Sequence, residues 1–278
     1  MGGALRRAAV AGSWYPGDPD EIAREVEGYL AAAGPVHAPG RLVGLICPHA
    51  GLRYSGPVAA YGYSLLRGSN PRTVVLVGPS HRAAFDGVAL YAEGAFETPL
   101  GTAPIADEVA EALLAAGPVI QALPSMHREE HSLEMQLPFL QHLVPELRIV
   151  PLLMGSQSRR EADALAAALS GALVGRDVLL VASSDLSHYH PAPVANGLDS
   201  FVVGDVERFD PETLMKRLEE SHDHACGGGP MVAVMTAARN LGAERATILR
   251  YADSGDAGER DKSRVVGYLS AALTGPGS

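Results

Sequence analysis

The stretch Leu42-Val43-Gly44-Leu45-Ile46-Cys47-Pro48-His49-Ala50-Gly51 decides the fold, because an apolar run leads directly into a proline, a histidine and a glycine. A short apolar run that contains β-branched residues predicts a strand buried on both faces. Further runs of the same kind are Thr73–Val77, Ile149–Leu153, Val178–Val181, Thr247–Leu249 and Val265–Leu269.

Between these runs, apolar residues recur at helical spacing, with prolines near several of the starts. The predicted helices are Asp20–Ala33, Gly56–Leu66, Ala106–Ala115, Ser132–Leu143, Arg159–Leu173, Pro211–Glu220 and Pro230–Leu241. Alternating strands and helices predict an α/β fold, with a central mostly parallel or mixed sheet flanked by helices. We find no internal repeat and no linker in the sequence, so we expect one domain over residues 1–278.

The composition excludes several classes of protein. Among the 278 residues, 47% are hydrophobic and 19% are charged, which excludes a mainly disordered chain and a coiled coil. The net charge of −10 argues against nucleic acid as a partner. No apolar run approaches the ~18 residues of a membrane span, and the N-terminus lacks the apolar segment of a signal peptide. We therefore expect a cytoplasmic protein with no membrane partner.

A histidine follows each of three predicted strands: His49, His81 and His188. The carboxyl ends of strands in an open α/β sheet meet at one crevice, so the three imidazoles are expected to lie together. A single histidine at such a place is more often a loop or capping residue, but three favour a metal site. Imidazole and carboxylate suit iron, zinc or copper, and two histidines with one carboxylate bind iron in non-haem oxygenases. Asp185 is the candidate carboxylate.

Cys226 precedes three glycines, Pro230 and an apolar helix. A thiol at a helix N-terminus is favoured as a thiolate, so Cys226 is a candidate soft ligand or nucleophile. The alternative is a buried apolar cysteine beside a glycine turn. The sequence has one other cysteine, Cys47, and two are too few for a disulfide framework.

His127-Arg128-Glu129-Glu130-His131 matches the H-x-x-E-H pattern of zinc peptidases, in which two histidines bind the metal and a glutamate acts as the base. A helix is only beginning at this point in the chain, so the alternative is that Glu130 and His131 cap it. Either residue can still face the crevice. Trp14 is the only tryptophan, and we expect it to be a packing anchor.

Taken together, these segments resemble the Memo family, whose animal member is the mediator of ErbB2-driven cell motility and whose prokaryotic members are called AmmeMemoRadiSam system protein B. The order and spacing hold from about residue 8 to residue 273. The segments that carry the resemblance are Ala11–Pro16, Pro48–Gly51, Gly78–His81, Glu130–Met135, Ser183–His188 and Cys226–Gly227 followed by Pro230.

The resemblance implies a fold similar to that of the class III extradiol dioxygenases. It places the metal ligands on His49, His81 and Cys226, so the third ligand becomes a thiolate in place of the carboxylate. Asp185 and His188 then line the same pocket, and with His131 they are the catalytic candidates. A cysteine in the ligand set argues against ordinary ring cleavage.

The function implied is redox or O₂-linked chemistry at a non-haem Fe(II) site, with copper or zinc as the other metals. The substrate is an unknown small molecule or peptide. The family's prokaryotic name implies a functional link to AMMECR1-like and radical SAM proteins. The alternatives are a non-catalytic binding or scaffold module and a zinc-dependent hydrolase that uses His127, Glu130 and His131.

Cys47 departs from the family, because the animal member has alanine there. In an extended strand, the side chains of Cys47 and His49 point to the same face. Cys47 is therefore either part of the core, which we favour, or a second thiol near the metal, able to form a disulfide with Cys226.

Overall fold

The computed structural model describes residues 4–68, 71, 73–257 and 261–277, and these form twelve strands and eight α-helices. The strands are β1 (Leu5–Arg6), β2 (Arg41–Cys47), β3 (Thr73–Pro79), β4 (Val88–Leu90), β5 (Ala95–Thr98), β6 (Gly101–Pro104), β7 (Ile120–Ala122), β8 (Ile149–Met154), β9 (Val178–Ser183), β10 (Asp185–His190), β11 (Arg245–Asp253) and β12 (Val265–Gly275). The helices are α1 (Pro19–Ala33), α2 (Leu52–Ser64), α3 (Asp107–Ala115), α4 (Leu137–Leu143), α5 (Arg159–Leu173), α6 (Ala192–Glu207), α7 (Pro211–Glu220) and α8 (Gly228–Asn240).

Nine of the strands form one mixed sheet, in the order β10-β12-β2-β9-β3-β8-β4-β7, with β11 also paired to β12. The pairs β2–β9, β9–β3 and β3–β8 are parallel. Strand β12 is antiparallel to its neighbours β2, β10 and β11, and β4 is antiparallel to β8. The remaining strands, β1, β5 and β6, form a small separate sheet.

Helices flank the central sheet. Helix α8 packs on β2, β3 and β9 and contacts α5, whereas α2 packs on β2 and β12 and contacts α1. Strands β3 and β8 are buried along their whole length, as their continuous apolar sequence predicts. The predicted mixed sheet flanked by helices is confirmed, and the architecture agrees with the expected class III extradiol dioxygenase-like fold.

Several elements differ from the prediction. Helix α2 begins at Leu52, four residues before the predicted start, and Pro57 lies inside it. The predicted helix Ser132–Leu143 is a 3₁₀ turn, Glu134–Gln136, followed by α4. Strands β1, β4, β5, β6 and β7, each of four residues or fewer, were not predicted, and neither were β10 and helix α6. The polar sequence of β10 has neither the apolar run nor the alternation of a typical strand.

A buried carboxylate fixes the N-terminal segment on the body of the protein. Glu134 is fully buried and forms an ion pair with Arg6, which is 4% exposed. Its carboxylate also accepts hydrogen bonds from the backbone N–H of Ala9 at 2.8 Å, the backbone N–H of Val10 at 3.1 Å and the hydroxyl of Tyr15 at 2.7 Å. The segment between Ala9 and Tyr15 is thereby held against the 3₁₀ turn that contains Glu134.

Glu134→Ala is expected to lower the free energy of unfolding by about 3–5 kcal/mol, because it leaves the Arg6 charge buried without its partner. Urea unfolding measures this change. Glu97→Ala is the control, because it breaks the ion pair with exposed Arg7 and should cost less than about 1 kcal/mol. Equal losses for the two variants would contradict the prediction.

Candidate metal centre

His49 and His81 follow two parallel strands that lie on either side of β9. Strand β2 ends at Cys47 and is followed by His49, whereas β3 ends at Pro79 and is followed by His81. Strand β9 lies between them and ends at Ser183. Because the three strands are parallel, their carboxyl ends meet at one edge of the sheet, and both imidazoles lie there.

Cys226 reaches the same edge from the segment that leads into α8. Its backbone N–H donates a hydrogen bond to the carbonyl of Asp185 at 3.2 Å. The next residue, Gly227, packs so closely on β9 that a Cβ there would collide with the carbonyl oxygen of Ser183. Glycine at this position therefore allows the cysteine to approach the ends of the strands.

The ligand-type atoms of His49, His81 and Cys226 all lie within 4.8 Å of one another. The Cys226 sulfur is 3.2 Å from Nε2 of His49, and the centroids of the two imidazole rings are 5.2 Å apart. Metal bonds to nitrogen and sulfur are about 2.0–2.3 Å long, so donors at these separations can share one ion. The structure thus brings together the three residues that the resemblance predicts as ligands.

Asp185 lies beside this group without belonging to it. One of its carboxylate oxygens accepts hydrogen bonds from the backbone N–H of His49 at 2.7 Å and of Ala50 at 3.3 Å. Burial raises the pKa of Asp185, and the nearby His188 partly offsets this shift. The Asp185 carboxylate therefore holds the turn that carries His49. The third ligand-type atom, which we first assigned to Asp185, is the sulfur of Cys226.

Glu130 orients the ring of His81. Its carboxylate lies 2.9 Å from Nδ1 of His81 and accepts hydrogen bonds from the backbone N–H groups of His81, His131 and Ser132. Burial alone would raise the pKa of Glu130, but the hydrogen bond with His81 and the backbone donors lower it overall. An ionised carboxylate at Nδ1 holds the proton there and leaves Nε2 of His81 for a metal.

The protonation of the other two residues differs. Burial, together with the neighbouring His81, holds the pKa of His49 well below its usual range, so its ring is neutral, as a metal ligand must be. Cys226 retains some exposed surface, but desolvation of its sulfur and the nearby Asp185 raise its pKa well above that of a free thiol. The expectation that the helix N-terminus makes Cys226 a thiolate is therefore wrong for the metal-free protein.

The donor set fits a transition metal. Two imidazoles and a cysteine sulfur are ligands that iron, copper and zinc accept, whereas calcium and magnesium prefer oxygen. The hydrogen bond between Glu130 and His81 is the outer support that metal-bound histidines usually have.

The catalytic candidates Asp185 and His188 both lie on β10, although we expected a loop or a first helical turn. Residues three apart on a regular strand point to opposite faces. Here the register with β12 is irregular. Asp185 is opposite Tyr268 and His188 is opposite Val266, so three steps along β10 match two along β12. This irregularity lets both residues line the cavity, and Nδ1 of His188 lies 2.8 Å from the carbonyl of Leu186.

His131, the third catalytic candidate, lies between two rings. Its centroid is 4.5 Å from that of His81, which it stacks on, and 4.3 Å from that of Trp14. Burial lowers the pKa of His131 to about 4, so its ring is neutral at neutral pH. Trp14 lines the cavity, and the expectation that it is only a packing anchor is incomplete.

A cavity of about 540 Å³ opens beside the histidines of the site and Asp185. Its lining comprises Ser13, Trp14, His49, Ala50, Gly51, Arg53, Tyr54, His81, His131, Asp185, His188, Tyr189, Ser254, Arg264, Val266 and Tyr268. The guanidinium of Arg53 lies over the ring of Tyr54 and that of Arg264 over the ring of Tyr189. A cavity with such walls can hold the planar or polar part of a small molecule or of a peptide side chain.

The structure separates the residues of the zinc-hydrolase alternative. His127 ends a 3₁₀ turn, and its Nε2 lies 3.0 Å from the carbonyl of Ala89, away from the cavity. Its ring packs against those of Tyr91 and Phe96. The segment from His127 to His131 is not an α-helix, so the two histidines cannot share a helical face, and His127 is not a member of the site.

Cys47 lies in the core. It is fully buried beside Tyr63, Ser270 and Gly62, and burial raises its pKa to about 12. Among the residues that the structure describes, it belongs to no group of metal-ligand atoms. This placement agrees with core packing, the interpretation we favour for Cys47.

Sequence reasoning missed the residues behind the ligands. For Glu130 the sequence suggested a base in the zinc motif or a helix cap able to face the crevice, and it gave no sign of the contact with His81. Ser183 and Gln136, which contact each other and lie behind His49, are neutral residues at distant positions in the chain. Ser183 begins one of the segments that carry the resemblance and Gln136 lies just outside another, but neither segment indicates a role behind His49.

In the described part of the chain, the structure contains no helix with the length and apolar character needed to cross a membrane.

The fold and the site define a class: an α/β protein with a metal-ligand cluster at the carboxyl ends of the central strands. Comparison with known proteins identifies the family. The model of the family described as Memo-like protein matches residues 6–272. The chain belongs to the Memo family.

Relatives described as MEMO1 family proteins match over nearly their whole length. The protein of Methanothermobacter thermautotrophicus is 38% identical over 95% of this chain and 98% of its own. That of Ignicoccus hospitalis is 39% identical over 96% and 97% of the two chains, and that of Thermotoga maritima is 37% identical over 96% and 99%. An uncharacterized protein of Escherichia coli K12, known from its crystal structure, shares the fold with a TM-score of 0.57, covering 84% of this chain and 100% of that one at 18% identity.

The buried position of His127 gives a prediction for how the free energy of unfolding depends on pH. Burial lowers the pKa of His127 to about 3, whereas the unfolded chain has a histidine pKa of about 6.5. Between these values the unfolded state binds a proton that the folded state does not, so the free energy of unfolding falls as pH falls, by up to about 1.4 kcal/mol per unit. His127→Gln should reduce this slope by about one proton in denaturant titrations across the range.

The matched control is His37→Gln, because His37 is an exposed histidine outside the core. A slope for His127→Gln that equals that of the wild type would show that burial of this ring is not responsible.

Proposed function

We propose that His49, His81 and Cys226 bind one redox-active metal ion, preferably Fe(II), and that the protein uses it in redox or O₂-linked chemistry on a small molecule or a peptide. The observation that carries the proposal is the convergence of three ligand-type atoms within 4.8 Å, two of them on His49 and His81, which line the cavity. Copper and zinc suit the same donors, and the dioxygenase-like fold favours iron over them.

When bound, a ferrous ion would pass electrons from an organic substrate to O₂, so that the substrate is oxidised and the ion returns to its ferrous state. The chain's own residues prepare the cavity for it. His49 is held neutral by burial, and Glu130 keeps the proton of His81 on Nδ1. The cavity walls, including Trp14 and Tyr54, bind the substrate and limit the access of water.

His188 is proposed as the group that exchanges a proton with the substrate. Its Nδ1 lies 2.8 Å from the carbonyl of Leu186, which is only an acceptor, so Nδ1 carries the proton. The other nitrogen, Nε2, then has a free electron pair. Asp185, on the same strand, lies close enough to stabilise a positive charge on His188. His131 completes the wall beside His81 and keeps its ring stacked.

The metal content tests the proposal. We expect about one iron per chain in protein purified without oxygen, and loss of most of it in His49→Ala and in Cys226→Ala, measured by elemental mass spectrometry. His142→Ala is the control, because His142 lies at the surface beside Glu27. Metal content that is low in the wild type and unchanged in His49→Ala would refute the site, and zinc alone would refute redox chemistry.

His188→Ala tests the proton-transfer role. Iron affinity should stay near that of the wild type, because His188 is not in the ligand group. Reduction of O₂ consumes protons, so ascorbate-supported O₂ consumption by the iron-loaded variant should fall about 100-fold or more. A large loss of iron affinity would instead make His188 a ligand or a support for one.

The rival to an enzyme is a non-catalytic binding or scaffold module that keeps a dioxygenase-like cavity. It predicts no ascorbate-supported O₂ consumption above that of free iron, and binding of partners that His49→Ala leaves unchanged. The same set of variants therefore separates the two functions.

A further inference from the structure

A chain of buried hydrogen bonds lies behind His49, on the side away from the cavity. Nδ1 of His49 is 2.8 Å from the hydroxyl oxygen of Ser183. The same oxygen is 2.7 Å from the carbonyl oxygen of Ser132 and 2.8 Å from Nε2 of Gln136. The ring of His49 is 1% exposed, and the three partner residues are fully buried. No water can therefore replace any of these partners without entering the core.

The orientation of the Gln136 amide is fixed by its two ends. Its Nε2 lies 3.0 Å from the carbonyl oxygen of Pro48, which can only accept a hydrogen bond. Its Oε1 lies 2.6 Å from the hydroxyl of Tyr63. Turning the amide over would set two acceptor oxygens against each other at Pro48. The NH₂ group of Gln136 therefore faces Pro48 and Ser183, and it donates to both.

The direction of the Ser183 hydroxyl follows. Its oxygen accepts a hydrogen bond from Gln136, and it has a single hydrogen to give. The carbonyl oxygen of Ser132, 2.7 Å away, is only an acceptor, so that hydrogen must point to Ser132. If it pointed to His49 instead, two oxygens would face each other at 2.7 Å with no hydrogen between them. Nδ1 of His49 must then be the donor in its contact with Ser183.

We propose that Ser183 and Gln136 are positioning residues that hold His49 in the tautomer with its proton on Nδ1, so that the electron pair of Nε2 faces Cys226. The assignment of a role to this tautomer rests on the proposed metal site. The tautomer itself does not, because every contact that sets it lies in the protein. The Cys226 sulfur lies 3.2 Å from this Nε2 and 3.7 Å from the backbone carbonyl oxygen of Asp185, so its single thiol hydrogen has two acceptors within reach.

The two candidate histidine ligands are thus prepared in different ways. A carboxylate, Glu130, faces Nδ1 of His81, whereas a neutral hydroxyl, itself directed by an amide, faces Nδ1 of His49. Both arrangements leave Nε2 free. The side chains behind His49 carry no formal charge, so a fixed set of donors and acceptors achieves there what an anion achieves at His81.

The direct test is the tautomer of His49 in the metal-free wild-type protein. Histidine labelled with ¹⁵N distinguishes a protonated ring nitrogen from an unprotonated one, at a pH well above the ~6.5 of free histidine. The spectrum of His49→Gln assigns the signals of this ring. We expect a protonated Nδ1 and an unprotonated Nε2. A protonated Nε2 in the wild type would overturn the proposal, and this measurement needs no variant that perturbs the network.

Ser183→Ala removes the acceptor at Nδ1. We expect the tautomer to become mixed, and iron affinity measured by competition with a chelator to fall about 10- to 100-fold. Ser183→Thr keeps the hydroxyl and should restore both. Ser270→Ala is the control, because it removes a buried hydroxyl that lies beside Cys47. An unchanged tautomer and an unchanged affinity in Ser183→Ala would also overturn the proposal.

These outcomes separate the tautomer from the metal site. If the wild type has the expected tautomer and Ser183→Ala disturbs it, the positioning role stands even where Cys226→Ala fails to lower the iron content. In that case only the proposed function fails.

Discussion

Parallel pairing of β2, β9 and β3 is the constraint on which the rest of the site depends. Cys47 at the end of β2 is in register with Ser183 at the end of β9, and Val77 of β3 is in register with Ala182. These registers place His49 and His81 on either side of Ser183. A shift of one residue in β9 would turn the Ser183 side chain to the other face of the sheet and remove it from His49. Burial of the strands on both faces makes such a shift costly, so the backbone of the sheet sets the spacing of the ligands.

The short segment from residue 130 to residue 136 supports the site from beneath. Glu130 orients His81, Gln136 directs Ser183 behind His49, and Glu134 holds the N-terminal segment that carries Trp14. Two of these residues are buried acids, and each has enough donors to offset the cost of its burial. In a regular α-helix, Glu130 and Glu134 would share one face because they are four residues apart, whereas in this turn and 3₁₀ helix Glu130 faces His81 and Glu134 faces Arg6. The prediction of a continuous helix here missed this property.

The sequence was sufficient for the elements whose burial follows a simple period. The buried central strands and most of the helices carry continuous or helically spaced apolar residues, and most of their bounds agree with the prediction to within a few residues. The exception among the buried strands is β12, which runs six residues past its predicted end. Strand β10 was missed because it is polar and its register is irregular, and α6 because its exposed face carries the large apolar residues Val194 and Phe201. In the site, histidine and cysteine can be recognised from the sequence as possible metal ligands. The roles of Ser183 and Gln136 cannot, since they arise from contacts between positions 47 residues apart.

Cys226 shows why a local rule can fail at a site of this kind. A helix N-terminus favours a negative charge by about 0.3–1 kcal/mol at an exposed position and by up to ~2 kcal/mol when partly buried. Desolvation acts against the charge and shifts the pKa of buried groups by up to 3–5 units, each worth about 1.4 kcal/mol. The nearby Asp185 adds to the desolvation. Desolvation is larger than the effect of the helix N-terminus, so the Cys226 sulfur keeps its proton until a bound cation offsets both desolvation and the nearby Asp185. The surroundings of Cys226 suit a sulfur whose negative charge arises together with a bound ion, and they do not suit a free reactive thiolate.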